Sequence, residues 1–313
     1  MAFYNPNPGM AQQLARLVDD LEQEGRPGLA EQLSITWVRY PESLRGRAAS
    51  LEPEEFWGQA PAGASWGGER QRYPASVVKL VYLVAAEVWL QLRLIEDEPE
   101  LRRALADMIR DSGNDATSLV VDRLSGTTSG PDLPPERFAE WVAQRQLVNR
   151  WLEDLGWQEL RGTNACQKTW GDGPYGRERA FYGDQLENRN RLSSDATARL
   201  LHAVIAGALV SPPACRRMRE LLRRSLDPQE RSADPENQVD GFLGAGLPTG
   251  AKLWSKAGWM SQARHDAAYV EIEGAAPFLL VVFSDGKRCA RDEALLPAIA
   301  RALRSHPVES PQG

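Results

Sequence analysis

Residues 73–90 read "YPASVVKLVYLVAAEVWL". Between Val77 and Leu90 the only charged side chains are Lys79 and Glu87, so the segment is apolar nearly all round and predicts a helix buried in a core. It is too short, and too interrupted by charge, to cross a bilayer. Pro74 marks the helix start and puts Ser76 in the first turn, with Lys79 one turn further on. A lysine on such a helix either snorkels its ammonium to the surface or is held by partners inside, because an unpaired buried charge is costly. Held inside, its amine shares a face with the Ser76 hydroxyl and can take that proton. Ser-x-x-Lys also recurs by chance, so the spacing alone does not choose between these readings.

Outward from this helix the pattern changes twice. Upstream, Met10, Leu14, Leu17, Val18 and Leu21 predict an amphipathic helix. "LSITWVRY" alternates Leu33, Ile35 and Trp37 with polar neighbours, as a half-buried strand would. Residues 41–72 read as loops with room for one more strand. Residues 73–225 are mainly helical in pattern, broken by the loops "SGTTSGPDLPP" and "KTWGDGPYGRER". Strands return around "KLWSKAGW", "AAYVEIE" and "FLLVVFSD", and residues 291–304 predict a closing helix. This order implies an α+β fold forming one domain over 1–313. Residues 1–72 and 250–313 would build a sheet subdomain with terminal helices, 73–249 would form a mainly helical subdomain, and a cleft would lie between them.

The whole chain fits an ordinary enzyme-sized protein of 313 residues. A net charge of -6 leaves no electrostatic footprint for nucleic acid, and no basic amphipathic helix points to a membrane. Cys166, Cys215 and Cys289 are odd in number and widely spaced, so neither a disulfide framework nor a metal site is expected. The N-terminus lacks a basic start followed by an apolar run, which predicts a cytoplasmic protein; a removed signal peptide would place it in the periplasm. Oligomeric state is not legible.

Several motifs compete as sites of chemistry. "GASWG" at 63–67 matches Gly-x-Ser-x-Gly, but Pro61 before it and Gly68-Glu69-Arg70 after it do not make a nucleophile elbow. Three histidines, His202, His265 and His306, have no zincin spacing; a Ser-His-Asp triad would need His265, and His202 reads as a packed side chain. Ser112-Gly113-Asn114 precedes an apolar helix, and Lys256-Ala257-Gly258 lies on a predicted strand. Singly, Ser112 reads as a helix cap, Asn114 as a turn residue and Lys256 as an edge-strand charge. Trp254 and Trp259 flank the last motif, as core or as pocket lining.

In order, Ser76-x-x-Lys79, Ser112-Gly113-Asn114 and Lys256-Ala257-Gly258 resemble the class A β-lactamase and penicillin-recognising serine hydrolase family, whose motifs are Ser-x-x-Lys, Ser-Asp-Asn and Lys-Thr-Gly. "LSSDATARLLHAVIAG" resembles the helix after that family's omega loop. The resemblance implies that Ser76 is the acylated nucleophile and that Lys79 helps to deprotonate it. It implies that Ser112 relays a proton to the leaving nitrogen and that Asn114 binds the substrate amide. Lys256 would attract a substrate carboxylate, with Arg264 as a second anchor or a plain surface arginine. The backbone N–H groups of Ser76 and Trp259, beside Gly258, would form the oxyanion hole. Glu178, or its competitor Glu187, would be the omega-loop base for deacylation; for either, a salt bridge to the local arginines is the alternative.

Two departures stand out: Ala257 where the family has a hydroxyl residue, and Gly113 where it has Asp. The resemblance implies a small-molecule substrate, a β-lactam or a related amide, ester or peptide, with no metal or cofactor. Alternatives are a D,D-peptidase or esterase that turns over β-lactams poorly, and a binding or sensor protein on the same scaffold.

Overall fold

The computed structural model describes residues 3–234 and 236–304. His306 lies outside them, among the last nine residues. Seven strands form one sheet: β1 (Asn5–Pro6), β2 (Leu33–Arg39), β3 (Ala62–Trp66), β4 (Arg223–Arg224), β5 (Lys252–Met260), β6 (Ala263–Glu271) and β7 (Phe278–Asp285), in the order β1-β3-β2-β7-β6-β5-β4. The β1–β3 pair is parallel and all others are antiparallel.

Strand β7 shows why the sheet is covered on both sides. Leu280 and Val282 join a core with Leu14 and Val18 of the helix Pro8–Gln23 and Ile299 and Leu303 of the helix Leu295–Arg304. Leu279, Val281 and Phe283 face the other way, into a core with the helices Lys79–Gln91 and Ser194–Ala206. Alternation with period two therefore distributes one strand between two cores.

The structure departs from the sequence reading in three places. β2 is buried on both faces, because Ser194 and Asp195 meet the Thr36 hydroxyl at 2.8 and 2.7 Å and Arg72 Nε reaches Ser34 Oγ at 2.9 Å. Its polar residues are buried and partnered rather than solvent-facing. β6 begins at Ala263, four residues before the apolar run announces it, since Arg264, His265 and Asp266 are themselves strand residues. The closing segment is a short helix, Lys287–Arg291, followed by the helix Leu295–Arg304. "GASWG" falls on β3 and the turn after it, with Ser65 Oγ accepting from Tyr4 Oη, and is no elbow.

The helix Lys79–Gln91 is buried almost throughout, as its composition predicts. Glu87 is partnered by Arg102 and Arg217, each at 2.6 Å. Among the described residues, no helix is long and apolar enough to cross a membrane.

Candidate active site

Ser76 lies on a 3-10 turn, Ala75–Val78, and Lys79 opens the α-helix behind it. In 3-10 geometry side chains three apart eclipse, so Ser76 and Lys79 share one edge. The turn is held hard. Ala75 sits at φ +46°, a left-handed conformation that costs a residue with a Cβ about 1–2 kcal/mol. Before it, Arg72 bonds Ser34, Asp285 and the carbonyls of Glu31 and Leu33. His265 Nδ1 accepts from Ser284 N–H at 2.9 Å, so its proton is on Nε2 and is donated to Tyr73 O at 2.9 Å. Burial lowers the pKa of His265, which keeps the ring neutral. Its two ring nitrogens are thus spent on the backbone of Tyr73, just before the Ser76 turn, and of Ser284, and not on Ser76.

β5 runs past this turn. A Cβ on Gly258 would stand 2.9 Å from Pro74 O, Ser76 N and Val77 N, so only glycine lets the strand approach. Trp259 follows, 58% exposed, its indole donating to Ala290 O at 2.9 Å. Trp254 packs in the core against Tyr269.

Lys79 does not snorkel. It is fully buried, and Nζ donates to Ser112 O, to Ser112 Oγ at 3.1 Å and to Asn114 Oδ1 at 2.9 Å. These bonds point to the second motif rather than to Ser76 Oγ. All three acceptors are neutral, and burial pulls the Lys79 pKa down to about 7, with the Asp107 charge opposing. Near neutral pH such an amine is divided between its two protonation states and can accept a proton.

Ser112 is not a helix cap. Gly113 holds the N-cap position of the helix Asn114–Ser125, and Ser112 adopts φ +57° just before it. That strained turn presents Oγ to two lysines, Lys79 and, at 3.0 Å, Lys256. Nor is Lys256 an exposed edge charge: β4 pairs β5 only at Leu253 and Trp254, yet the Lys256 side chain is fully buried. Its Nζ also donates to Gln238 Oε1 at 2.5 Å and Ala257 O at 2.8 Å. Burial, then the Lys79 and Arg224 charges, push its pKa well below the usual lysine value.

Gln238 escaped the sequence reading. Its Oε1 also accepts from Ala257 N–H at 3.3 Å, while Nε2 donates to Ile109 O and Arg110 O. It therefore couples the Lys256 strand to the helix before Ser112. No local pattern marks a glutamine 18 residues upstream for that task.

The remaining candidates lie apart from this cluster. Arg264 is buried, donates to Ala290 O, Gly241 O and Glu293, and lies between the rings of Phe242 and Trp259. It is neither a surface arginine nor an open anchor; it braces Trp259. Glu178, on the helix Gly176–Tyr182, is fully buried with Arg145, accepts from Ser129 Oγ at 2.9 Å and lies 3.6 Å from Lys168. Among the described residues no hydrogen bond or ion pair joins it to Ser76, Lys79 or Ser112. Glu187 is exposed and accepts from Gln185 N–H of its own loop. The salt bridge expected as the alternative for Glu178 is present, through Oε1, while Oε2 is buried without a hydrogen-bond partner.

The stretch actually tied to the Lys79 helix is different. Tyr82, one turn beyond Lys79, donates to Gln167 O at 2.6 Å, and Asn190 Oδ1 accepts from Cys166 and Gln167 N–H.

The structure thus brings together a fully buried lysine pair sharing one serine, Ser112, and a second serine, Ser76, on a strained turn. The model of the beta-lactamase enzyme family matches residues 89–306, and the chain belongs to that family. The match begins after Ser76 and Lys79, so that pair stands on geometry. Among solved structures, PBP-A is 16% identical over 96% of each chain with a TM-score of 0.61. A variant of PBP-A in its acyl-enzyme complex with penicillin G gives 0.62, at 16% identity over 96% of each chain. A beta-lactamase from Sphaerobacter thermophilus is 17% identical, covers 93% of this chain and 95% of its own, and gives 0.61. A search of curated proteins finds no match.

Proposed function

We propose that this chain is a serine acyl-transfer enzyme of the penicillin-recognising group, acylated on Ser76 by a β-lactam or a related amide or ester, with slow release of the acyl group. The observation that carries this reading is Lys79, buried among neutral acceptors with a pKa near 7. Neutral Lys79 takes the Ser76 proton as Oγ attacks the carbonyl carbon, and the oxyanion is held by the N–H groups of Ser76 and Trp259. Ser112, fed by the lysine ammonium groups, passes a proton to the leaving nitrogen as the C–N bond breaks. Lys256 supplies positive charge for a substrate carboxylate. Ala257 brings no hydroxyl there, which favours weaker discrimination for that carboxylate.

Slow release follows from Glu178. Its Oε1 is held by Arg145, Lys168 and Ser129, and among the described residues no hydrogen bond joins the carboxylate to Ser76, Lys79 or Ser112; Oε2, buried without a hydrogen-bond partner, is the atom through which the rival would work. Hydrolysis assisted by Glu178 is the rival, and nitrocefin turnover with intact-mass spectrometry separates the two. Wild type should carry an adduct lasting many minutes, Ser76→Ala none, and Glu178→Gln should release it within about twofold of the wild-type rate, an effect of less than about 0.5 kcal/mol on the barrier. Rapid turnover in wild type, with an adduct accumulating only in Glu178→Gln, would overturn slow release. Absence of any adduct on wild type would overturn acylation itself and leave a binding protein.

A further inference from the structure

The Ser112-Gly113-Asn114 loop carries no acid of its own, yet the space beside Gly113 is occupied. A Cβ on Gly113 would stand 2.8 Å from Cγ of Asp107, which belongs to the preceding helix, Pro99–Arg110. Gly113 itself has φ -56° and ψ 127°, open to any L residue. The backbone therefore does not demand glycine here; a Cβ would instead have to displace the Asp107 carboxylate. Gly113 N–H donates to Asp107 O at 3.2 Å, and Thr117 Oγ1 donates to Gly113 O at 2.6 Å, so the loop is tied to both flanking helices. That loop supplies every acceptor of Lys79 Nζ. The charge bearing on Lys79 is that of Asp107, from its helix, and the Lys79 charge in turn lowers the pKa of Lys256 on β5.

We propose that Asp107 supplies, from the neighbouring helix, the acid that this motif lacks. It is a positioning residue that fills the volume left by Gly113 and keeps Ser112 and Asn114 against Lys79. The placement stands on its own, whereas its consequence for catalysis rests on the function proposed above.

The test reads Lys79 without substrate. The chain has five lysines, so protein labelled with ¹³C-lysine gives few signals, and Lys79→Met assigns the one of interest. Wild-type Lys79 should titrate near pH 7. Asp107→Asn, which keeps the volume and removes the charge, should move that titration to lower pH by at least about half a unit. Asp107→Ala/Gly113→Asp, which moves the acid into the motif, should return it towards the wild-type value, while Gly113→Asp alone should lower the melting temperature by crowding two acids. An unchanged Lys79 titration in folded Asp107→Asn, or a double variant no closer to wild type than Asp107→Ala, would overturn the proposal. Because no substrate is present, a protein that no penicillin labels would sink the proposed function and leave this result intact.

Discussion

Gly258 is the residue on which the proposed acyl-transfer geometry turns, because the backbone of the Ser76 turn fills the place of its missing side chain. Gly258→Ala would force β5 away from Ser76 N–H, one of the two proposed oxyanion donors, and should slow the proposed acylation by about 10²-fold or more, a cost typical of losing one such donor. The rate of labelling by a fluorescent penicillin measures it; a rate within threefold of wild type would show that the strand is not a wall of the site. At this scale much could be read ahead of the fold. Ser76, Lys79, Ser112, Asn114 and Lys256 announce themselves by residue type and order, and four of them share direct hydrogen bonds. Gln238 and Asp107 could not be read, and His265 could be read only as a triad candidate, because each acts through a contact made only when distant elements meet.

At the scale of elements, burial decided what patterning could not. β2 looked half-exposed because Ser34 and Thr36 are polar, yet Arg72, Ser194 and Asp195 satisfy them inside the molecule. Glu178 fell near the expected place in sequence, yet its helix turns it into a buried ion cluster with Arg145, Lys168 and Asp122. Burial raises the Asp122 pKa against the pull of Lys168 and Arg145. Removing one member strands a charge: Arg145→Met should cost about 3 kcal/mol, and adding Glu178→Gln should recover most of it. Urea denaturation checks this cycle. If the single variant stays within 1 kcal/mol, or the double is worse, the cluster is not a structural clasp.

At the scale of the whole molecule, the chain ends build all of the sheet but the two-residue β4, and the middle builds the helices that meet it, with the two lysines buried where β5 meets the helical part. Two depressed lysines in one site cost stability. Lys79 holds fewer protons folded than unfolded between about pH 7 and 10.5, so its penalty is full below pH 7 and is relieved as pH rises through that window. The chemistry runs the same way, since only the neutral amine can take the Ser76 proton. The central claim is that this amine drives acylation of Ser76, and the pre-steady-state rate of labelled-penicillin adduct formation, followed by intact mass from pH 5.5 to 9, tests it most directly. The rate should rise about tenfold per pH unit below an inflection near pH 7 and level off above it, with no adduct on Ser76→Ala. A rate flat across that range, or an adduct that survives in Ser76→Ala, would contradict it.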